Sequence, residues 1–272
     1  MKLKTFLTSI LALSFIFANA QENNEYAFKS GEKLQYDVFF NWGFIWITAA
    51  KVDFTVREIT YNKTPAYRLK MAGKTVNTFG MFTFTDTITT YVNKKTLKPY
   101  SSREASFEPD YYTISNLRYF GNDTDKWGVT VEQERKKGTK YDTITSNKLA
   151  YYDLLTTLYN LRNTNTDDWE LNHKMSMPMI FGKDTFDLYL RYVGKEKITL
   201  KSGKSYNCLK IRPLLAEGKL FEKGEGMTIW ISDDKNHIPL AIESKLKVGY
   251  IKAQVTGISG NGDPMAEVAK KK

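Results

Sequence analysis

The stretches KLQYDVFF (residues 33–40) and WITAAKVDFTV (residues 46–56) decide the fold, because apolar and polar side chains alternate in both. A period of two places every second side chain on the same face of a strand. The pattern returns over residues 175–192 and 227–231, and turn formers such as Asn62-Lys63-Thr64-Pro65 separate the runs. The sequence therefore predicts a mainly β fold, a curved antiparallel sheet that forms a half-barrel or open barrel.

One segment follows a helical period instead. Over residues 149–163, apolar side chains that include Leu154 and Leu161 fall on one stripe of a helix. Ser146 or Asn147 is in position to cap its start. We expect a single amphipathic α-helix packed against the sheet, where it either covers one face or opening or forms a lid over a ligand cavity.

The first 20 residues have the organisation of a signal peptide. Lys2 and Lys4 precede an apolar core over residues 6–17, and Ala18-Asn19-Ala20 forms a small-x-small cleavage site. The apolar core is shorter than the ~20 residues that a membrane-spanning helix needs. We therefore expect an exported chain that begins at Gln21.

The rest of the chain predicts one β-rich domain over residues 21–260, followed by a disordered polar tail over residues 261–272. The sole cysteine, Cys208, excludes an intramolecular disulfide and lies far from the cleavage site where a lipoprotein carries its modified cysteine. No later segment is apolar enough to span a membrane. We expect a periplasmic or extracellular protein that is not a lipoprotein, and the sequence leaves its oligomeric state open.

The formal net charge of +10 is spread along most of the chain. After export, a basic surface has no nucleic-acid partner, whereas anionic lipid head groups or acidic glycans are available to it. The favoured interpretation is an ordinary solvated basic surface, and weak attraction to anionic lipid head groups or acidic glycans stays open as an alternative.

Residues that usually carry catalysis are scarce. The chain has only two histidines, His173 and His237, and these with Cys208 make no zinc signature. No Gly-rich phosphate cradle is present, so we expect neither a metal nor a cofactor. Carboxylates on separate strands still leave open a glycan hydrolase, and the candidates are Asp86, Asp110, Asp153, Asp187 and Glu243.

Candidate ligand contacts are aromatic or methionine side chains in the alternating strands and the helix. Methionine adapts to irregular apolar ligands, and three methionines share one strand face, although such alternation is more often typical of a plain apolar core. The candidates for an apolar or amphiphilic ligand are Trp46, Met175, Met177, Met179, Tyr152 and Tyr159.

Three motifs give the chain a resemblance to the family called domain of unknown function 3108. They are GEKLQYDV (residues 31–38), YDLL with YNLR (residues 152–162), and IWISDD followed by Ile-Pro (residues 229–239). The resemblance implies an exported β-rich bacterial protein and supplies no catalytic residue. We interpret the motif residues as structural: Gly31, Glu32, Tyr36, Asp153, Arg162, Trp230, Ser232, Asp233, Asp234 and Pro239.

Three hypotheses for function follow. The favoured one is a non-enzymatic envelope protein that binds an apolar or amphiphilic, lipid-like ligand. The second is a carboxylate-dependent glycan hydrolase, which requires two facing carboxyl groups. The third is an envelope scaffold or adhesion module that uses an exposed sheet edge or aromatic patch.

Overall fold

The computed structural model describes residues 26–42, 45–76, 83–121, 126–215, 223–247, 249–261 and 265–268. The predicted signal peptide lies outside these residues. No helix within these ranges is long and apolar enough to cross a membrane.

Fourteen strands and one helix make up this part of the chain. In chain order they are β1 (Lys33–Trp42), β2 (Ile45–Tyr61), β3 (Thr64–Thr75), β4 (Thr85–Asn93), β5 (Pro99–Phe107), β6 (Tyr112–Phe120), β7 (Trp127–Arg135), β8 (Gly138–Ser146), α1 (Leu154–Arg162), β9 (Lys174–Phe181), β10 (Asp184–Thr199), β11 (Ser205–Pro213), β12 (Met227–Ser232), β13 (Pro239–Lys245) and β14 (Tyr250–Ser259).

All strands belong to one antiparallel sheet with the order β8-β7-β6-β5-β4-β3-β2-β1-β14-β13-β12-β11-β10-β9. Each strand pairs with its neighbour in sequence, except that β1 pairs with β14 and α1 interrupts the path between β8 and β9. The sheet does not close, because β8 and β9 are its two edges. The prediction of a mainly β, open antiparallel sheet with one helix is confirmed.

Successive hairpins of such a meander lie at opposite ends of the strands, so every second hairpin lies at the same end. The connections β1–β2, β3–β4, β5–β6, β7–β8, β9–β10, β11–β12 and β13–β14 share one end, which we call the upper rim. The connections β2–β3, β4–β5, β6–β7, β10–β11 and β12–β13 share the other end, the lower rim.

The helix joins the two halves of the sheet. It lies against β3, β4 and β9. Leu155 and Tyr159 pack into an apolar cluster with strands β2 to β4, while Leu161 packs with Leu190 and Ile211 from β10 and β11. Burial of these side chains removes apolar surface from water on both halves and holds the curved sheet around the helix.

The helix is shorter than predicted, because it begins at Leu154 rather than near residue 149. Its N-cap is Asp153, whereas Ser146 is the last residue of β8 and Asn147 follows it. Tyr152 explains the difference: its backbone pairs with β9, donating to Pro178 and accepting from Ile180, so residue 152 must be extended. The predicted cap at residues 146–147 is therefore wrong.

Part of the tail that was predicted to be disordered is ordered along β11. Val268 donates its N–H to Ser205, and Glu267 forms a bridge with Tyr206 and an ion pair of 3.0 Å with Lys204. For residues 265–268 the prediction of disorder is wrong, because the strand offers them backbone partners.

Candidate functional site

The three sequence motifs meet at the C-terminal end of the helix. Arg162 donates from Nη1 and Nη2 to the two carboxylate oxygens of Glu32, at 2.6 Å and 2.8 Å. It also donates to the carbonyl oxygens of Ala27 and Asn236. The Arg162 and Glu32 side chains are only 1% and 0% exposed, so the charges are paired where water cannot solvate them.

Aromatic hydroxyls complete this buried centre. Tyr159 donates to Glu32 at 3.4 Å, and Tyr36 donates to the Pro239 carbonyl at 2.8 Å. Burial raises the pKa of both phenols, so they act as hydrogen-bond donors. Gly31, with φ of 101°, leads into the centre, and its N–H donates to Val56. We call Glu32, Tyr36, Tyr159 and Arg162 the helix anchor.

Asp153 holds the other end of the helix. Its carboxylate accepts from the backbone N–H groups of Leu155 and Thr156 and from the Thr156 hydroxyl. The hydroxyls of Thr90 on β4 and Tyr119 on β6 donate to it as well, at 2.7 Å and 3.3 Å. Burial raises the pKa of Asp153, and these hydrogen bonds oppose that effect.

The third motif forms the β12–β13 turn at the lower rim. Ser232 donates from its hydroxyl to Asp234 and accepts from the Ile238 N–H. Asp233 pairs with Lys195 at 2.7 Å. Trp230, two residues before Ser232, donates from its ring N–H to Glu196 at 3.0 Å. Each of these side chains therefore has a partner within the fold.

The candidate ligand residues lie in four separate places. Met175 and Met177 pack with Leu161 and strands β10 to β12, Met179 is buried where its backbone pairs with Tyr152, and Tyr159 belongs to the helix anchor. Trp46, by contrast, lies at the upper rim and is 51% exposed.

Large apolar side chains are concentrated at the upper rim. Of the ten exposed ones among the described residues, six lie there: Trp46, Val76, Phe107, Tyr111, Phe181 and Tyr250. Scattered exposed apolar residues are ordinary on a soluble protein, but a set confined to one end forms a surface. We call these six residues the aromatic rim.

A row of one half-buried and two buried polar residues lies below the aromatic rim. Glu104, Ser115 and Gln133 are register partners on β5, β6 and β7, and Gln133 donates to Ser115 at 3.1 Å. The β9–β10 turn covers this row: Gly182 donates its N–H to Glu104, and an added Cβ on Gly182 would lie 2.8 Å from Gln133. Gly182 therefore brings one edge of the open sheet onto the other half.

Glu104 is the acidic residue of this row. Burial, with a smaller effect from the charge of Asp153, raises the pKa of Glu104 from 4.5 to about 7. One of its carboxyl oxygens, Oε1, is buried without a hydrogen-bond partner among the described residues. The arrangement suits a protonated carboxyl in neutral or mildly acidic solution.

Apart from Asp153, the carboxylates that the sequence suggested for a hydrolase lie on separate elements, with Asp110 between β5 and β6. Asp187 on β10 accepts a hydrogen bond from the Tyr151 hydroxyl, which raises the pKa of that phenol. Glu243 on β13 pairs with Lys252 at 2.5 Å. Asp86 lies on β4, and burial raises its pKa. Within the described ranges, no group of three or more His, Cys, Asp or Glu side chains is placed to hold a metal ion.

Comparison with known families settles the resemblance. The family model described as "Protein of unknown function (DUF3108)" matches residues 35–256. The chain belongs to this family. Among curated proteins, none matches the chain. Among solved structures, a β-barrel-like protein of domain of unknown function DUF1849 from Brucella abortus superposes with a TM-score of 0.52 at 7% identity. The match covers 85% of this chain and 98% of that one, which shows a shared fold for this DUF3108 member.

Sequence reasoning missed Glu104 and most of the aromatic rim. Glu104 and Ser102 both occupy inward positions on β5. Because neither is apolar, the alternation of apolar and polar residues did not identify this face of the strand as inward. The rim residues are distributed from residue 46 to residue 250, and only the common direction of the hairpins reveals that they are neighbours.

Proposed function

We propose that this DUF3108 member is an exported cell-envelope protein that binds an apolar or amphiphilic ligand through its aromatic rim, without chemical turnover. The observation that carries the proposal is the concentration of exposed aromatic side chains at one end of the sheet. Such side chains combine a large apolar surface with, in Trp and Tyr, a polar edge, which suits the boundary between acyl chains and head groups.

Basic residues on the same end support an anionic or zwitterionic head group. Arg135, Lys136 and Lys137 follow one another at the β7–β8 turn of the upper rim, and all three are exposed. None lies within 4.0 Å of a carboxylate in the part of the chain that is described. A phosphate or carboxylate beside the aromatic rim would meet uncompensated positive charge.

Export is supported by the first 20 residues and is part of the proposal. We expect the protein recovered from the periplasm or medium to begin at Gln21. Intact-mass measurement of the protein from the native envelope tests this, and a chain that retains residues 1–20 would contradict it.

We favour binding over glycan hydrolysis because the carboxyl groups of Asp153 and Glu104 contact other parts of the fold. Asp153 accepts hydrogen bonds from the helix and two strands, and Glu104 lies beneath Gly182. A hydrolase would need its two carboxyl groups to face a bound sugar across a cleft.

A titration with dodecylphosphocholine below its micellar concentration tests the binding proposal. Phe107 at the upper rim and Phe120 at the lower rim are 46% and 44% exposed, so they form a matched pair. We expect Phe107→Ser to weaken binding about tenfold, since burial of a phenylalanine contributes roughly 1.5–3 kcal/mol. Phe120→Ser should leave the affinity unchanged. Equal loss in both variants, or no binding by the unmodified chain, would overturn the proposal.

A further inference from the structure

The β8 edge of the sheet is open. All nine residues of Gly138–Ser146 are exposed or half-exposed, and the register with β7 runs from Trp127↔Ser146 to Arg135↔Gly138 without a bulge. No described strand or loop forms backbone hydrogen bonds along its outer side. A long edge without proline or bulge is a template for another strand.

The turn before β8 shows which backbone groups face outward. Because only Lys136 and Lys137 separate Arg135 from Gly138, the pair Arg135↔Gly138 is a hydrogen-bonded pair. Hydrogen-bonded pairs then recur at every second residue, so Lys140 and Asp142 bond to β7. The N–H and C=O groups of Thr139, Tyr141 and Thr143 point away from the sheet.

We propose that β8 pairs antiparallel with β8 of a second copy of this chain, in a register centred on Tyr141. In this register Tyr141 faces Tyr141 of the second copy, and Thr139 faces Thr143. These are the residues whose backbone groups point outward, so each facing pair can exchange two hydrogen bonds.

The charges select this register. Between the hydrogen-bonded pairs, Lys140 faces Asp142 of the second copy, and two-fold symmetry repeats the pair. Centring on Thr139 or on Thr143 would instead place Lys140 opposite Gly138 or Ser146. Aromatic, threonine and opposite-charge pairs are the cross-strand combinations that stabilise antiparallel sheets, and the register centred on Tyr141 contains all three.

Exposure of the side chains agrees with an interface. Tyr141 is 73% exposed, the highest value among the large apolar side chains described. The Asp142 carboxylate is as far as 3.9 Å from the Lys183 ammonium, and both side chains are about half exposed. This weak ion pair leaves the carboxylate available for another partner. Because the two β8 strands run antiparallel, the two aromatic rims would lie at opposite ends of the dimer.

Charge exchange tests the proposal in the chain from Gln21 to Lys272. Sedimentation velocity of the unmodified protein should show a concentration-dependent doubling of mass. Lys140→Asp places two acidic pairs across the interface and Asp142→Lys places two basic pairs, so each variant alone should be monomeric. An equimolar mixture of the two should form heterodimers, and the double variant K140D/D142K should dimerise again.

A backbone variant tests the same edge independently of charge. Thr143→Pro removes an outward N–H without removing a bond to β7, so it should abolish the dimer while circular dichroism shows an unchanged β signal. The proposal is overturned if the unmodified chain stays monomeric at all concentrations. It is equally overturned if the single charge variants dimerise as the unmodified chain does, because the dimer would then use another surface.

Discussion

Loss of the Arg162 charge should be among the most destabilising single changes in this protein. In Arg162→Met, a flexible apolar side chain replaces the guanidinium. Among the described residues, the 3.4 Å hydrogen bond from Tyr159 is then the one that the buried Glu32 carboxylate retains. The carbonyl oxygens of Ala27 and Asn236 also lose their donor. Breaking a buried ion pair in this way costs about 3–5 kcal/mol.

Urea denaturation followed by circular dichroism gives the free energy of unfolding for a set of four proteins. The matched control is Lys252→Met, which removes a pair whose side chains are 33% and 46% exposed and should cost at most about 1 kcal/mol. The double variant E32L/R162M removes both buried charges, so it should recover much of the stability lost in R162M. A cost for R162M no larger than that of K252M would refute the reasoning.

Three further predictions concern Glu104, Asp153 and the glycine of the β9–β10 turn. Glu104 has a higher pKa folded than unfolded, so the stability it adds is complete below about pH 4.5 and is lost as pH rises through about 7. Urea titrations at several pH values should show that this loss of unfolding free energy, at most about 3 kcal/mol, is absent in Glu104→Gln. If the variant had the same pH profile as the unmodified protein, the burial of the Glu104 charge would be contradicted. Asp153→Ala should lower the unfolding free energy by about 2 kcal/mol, because the helix N-terminal N–H groups and the Thr90 hydroxyl lose their acceptor. Asp153→Asn keeps an acceptor oxygen and should retain part of that stability. Equal unfolding free energies for the two variants would contradict this. Gly182→Ala should lower the unfolding free energy by about 1 kcal/mol, since φ is +57° and the new methyl group would crowd Gln133. Native-state hydrogen exchange should then be faster at the β9–β10 turn. Unchanged exchange would contradict the role of this turn in covering the polar row.

The strands could be predicted from the sequence because their faces differ in polarity. β7 (Trp127–Arg135) is an example, because buried Trp127, Val129 and Val131 alternate along it with more polar residues. The helix start could not be predicted equally well. Ser146 and Asp153 are both good caps, and the choice depends on a backbone pairing between Tyr152 and β9 that no local pattern contains.

The helix anchor shows a different limit. Glu32 and Arg162 are 130 residues apart, so neither residue identifies the other without the fold. The family motifs marked both residues, but their contact follows from the position of α1 between the two halves of the sheet. The aromatic rim is a similar case, since its members become neighbours only when alternate hairpins are assigned to the same end.

Photo-crosslinking locates the ligand most directly. A fatty acid with a diazirine on its acyl chain would be irradiated with the mature protein, and the labelled peptides identified by mass spectrometry. The proposed role of the aromatic rim predicts labels at the hairpins that carry Trp46, Phe107, Phe181 and Tyr250. Labels confined to the buried strand face of Met175 and Met177, or to the lower rim, would contradict it.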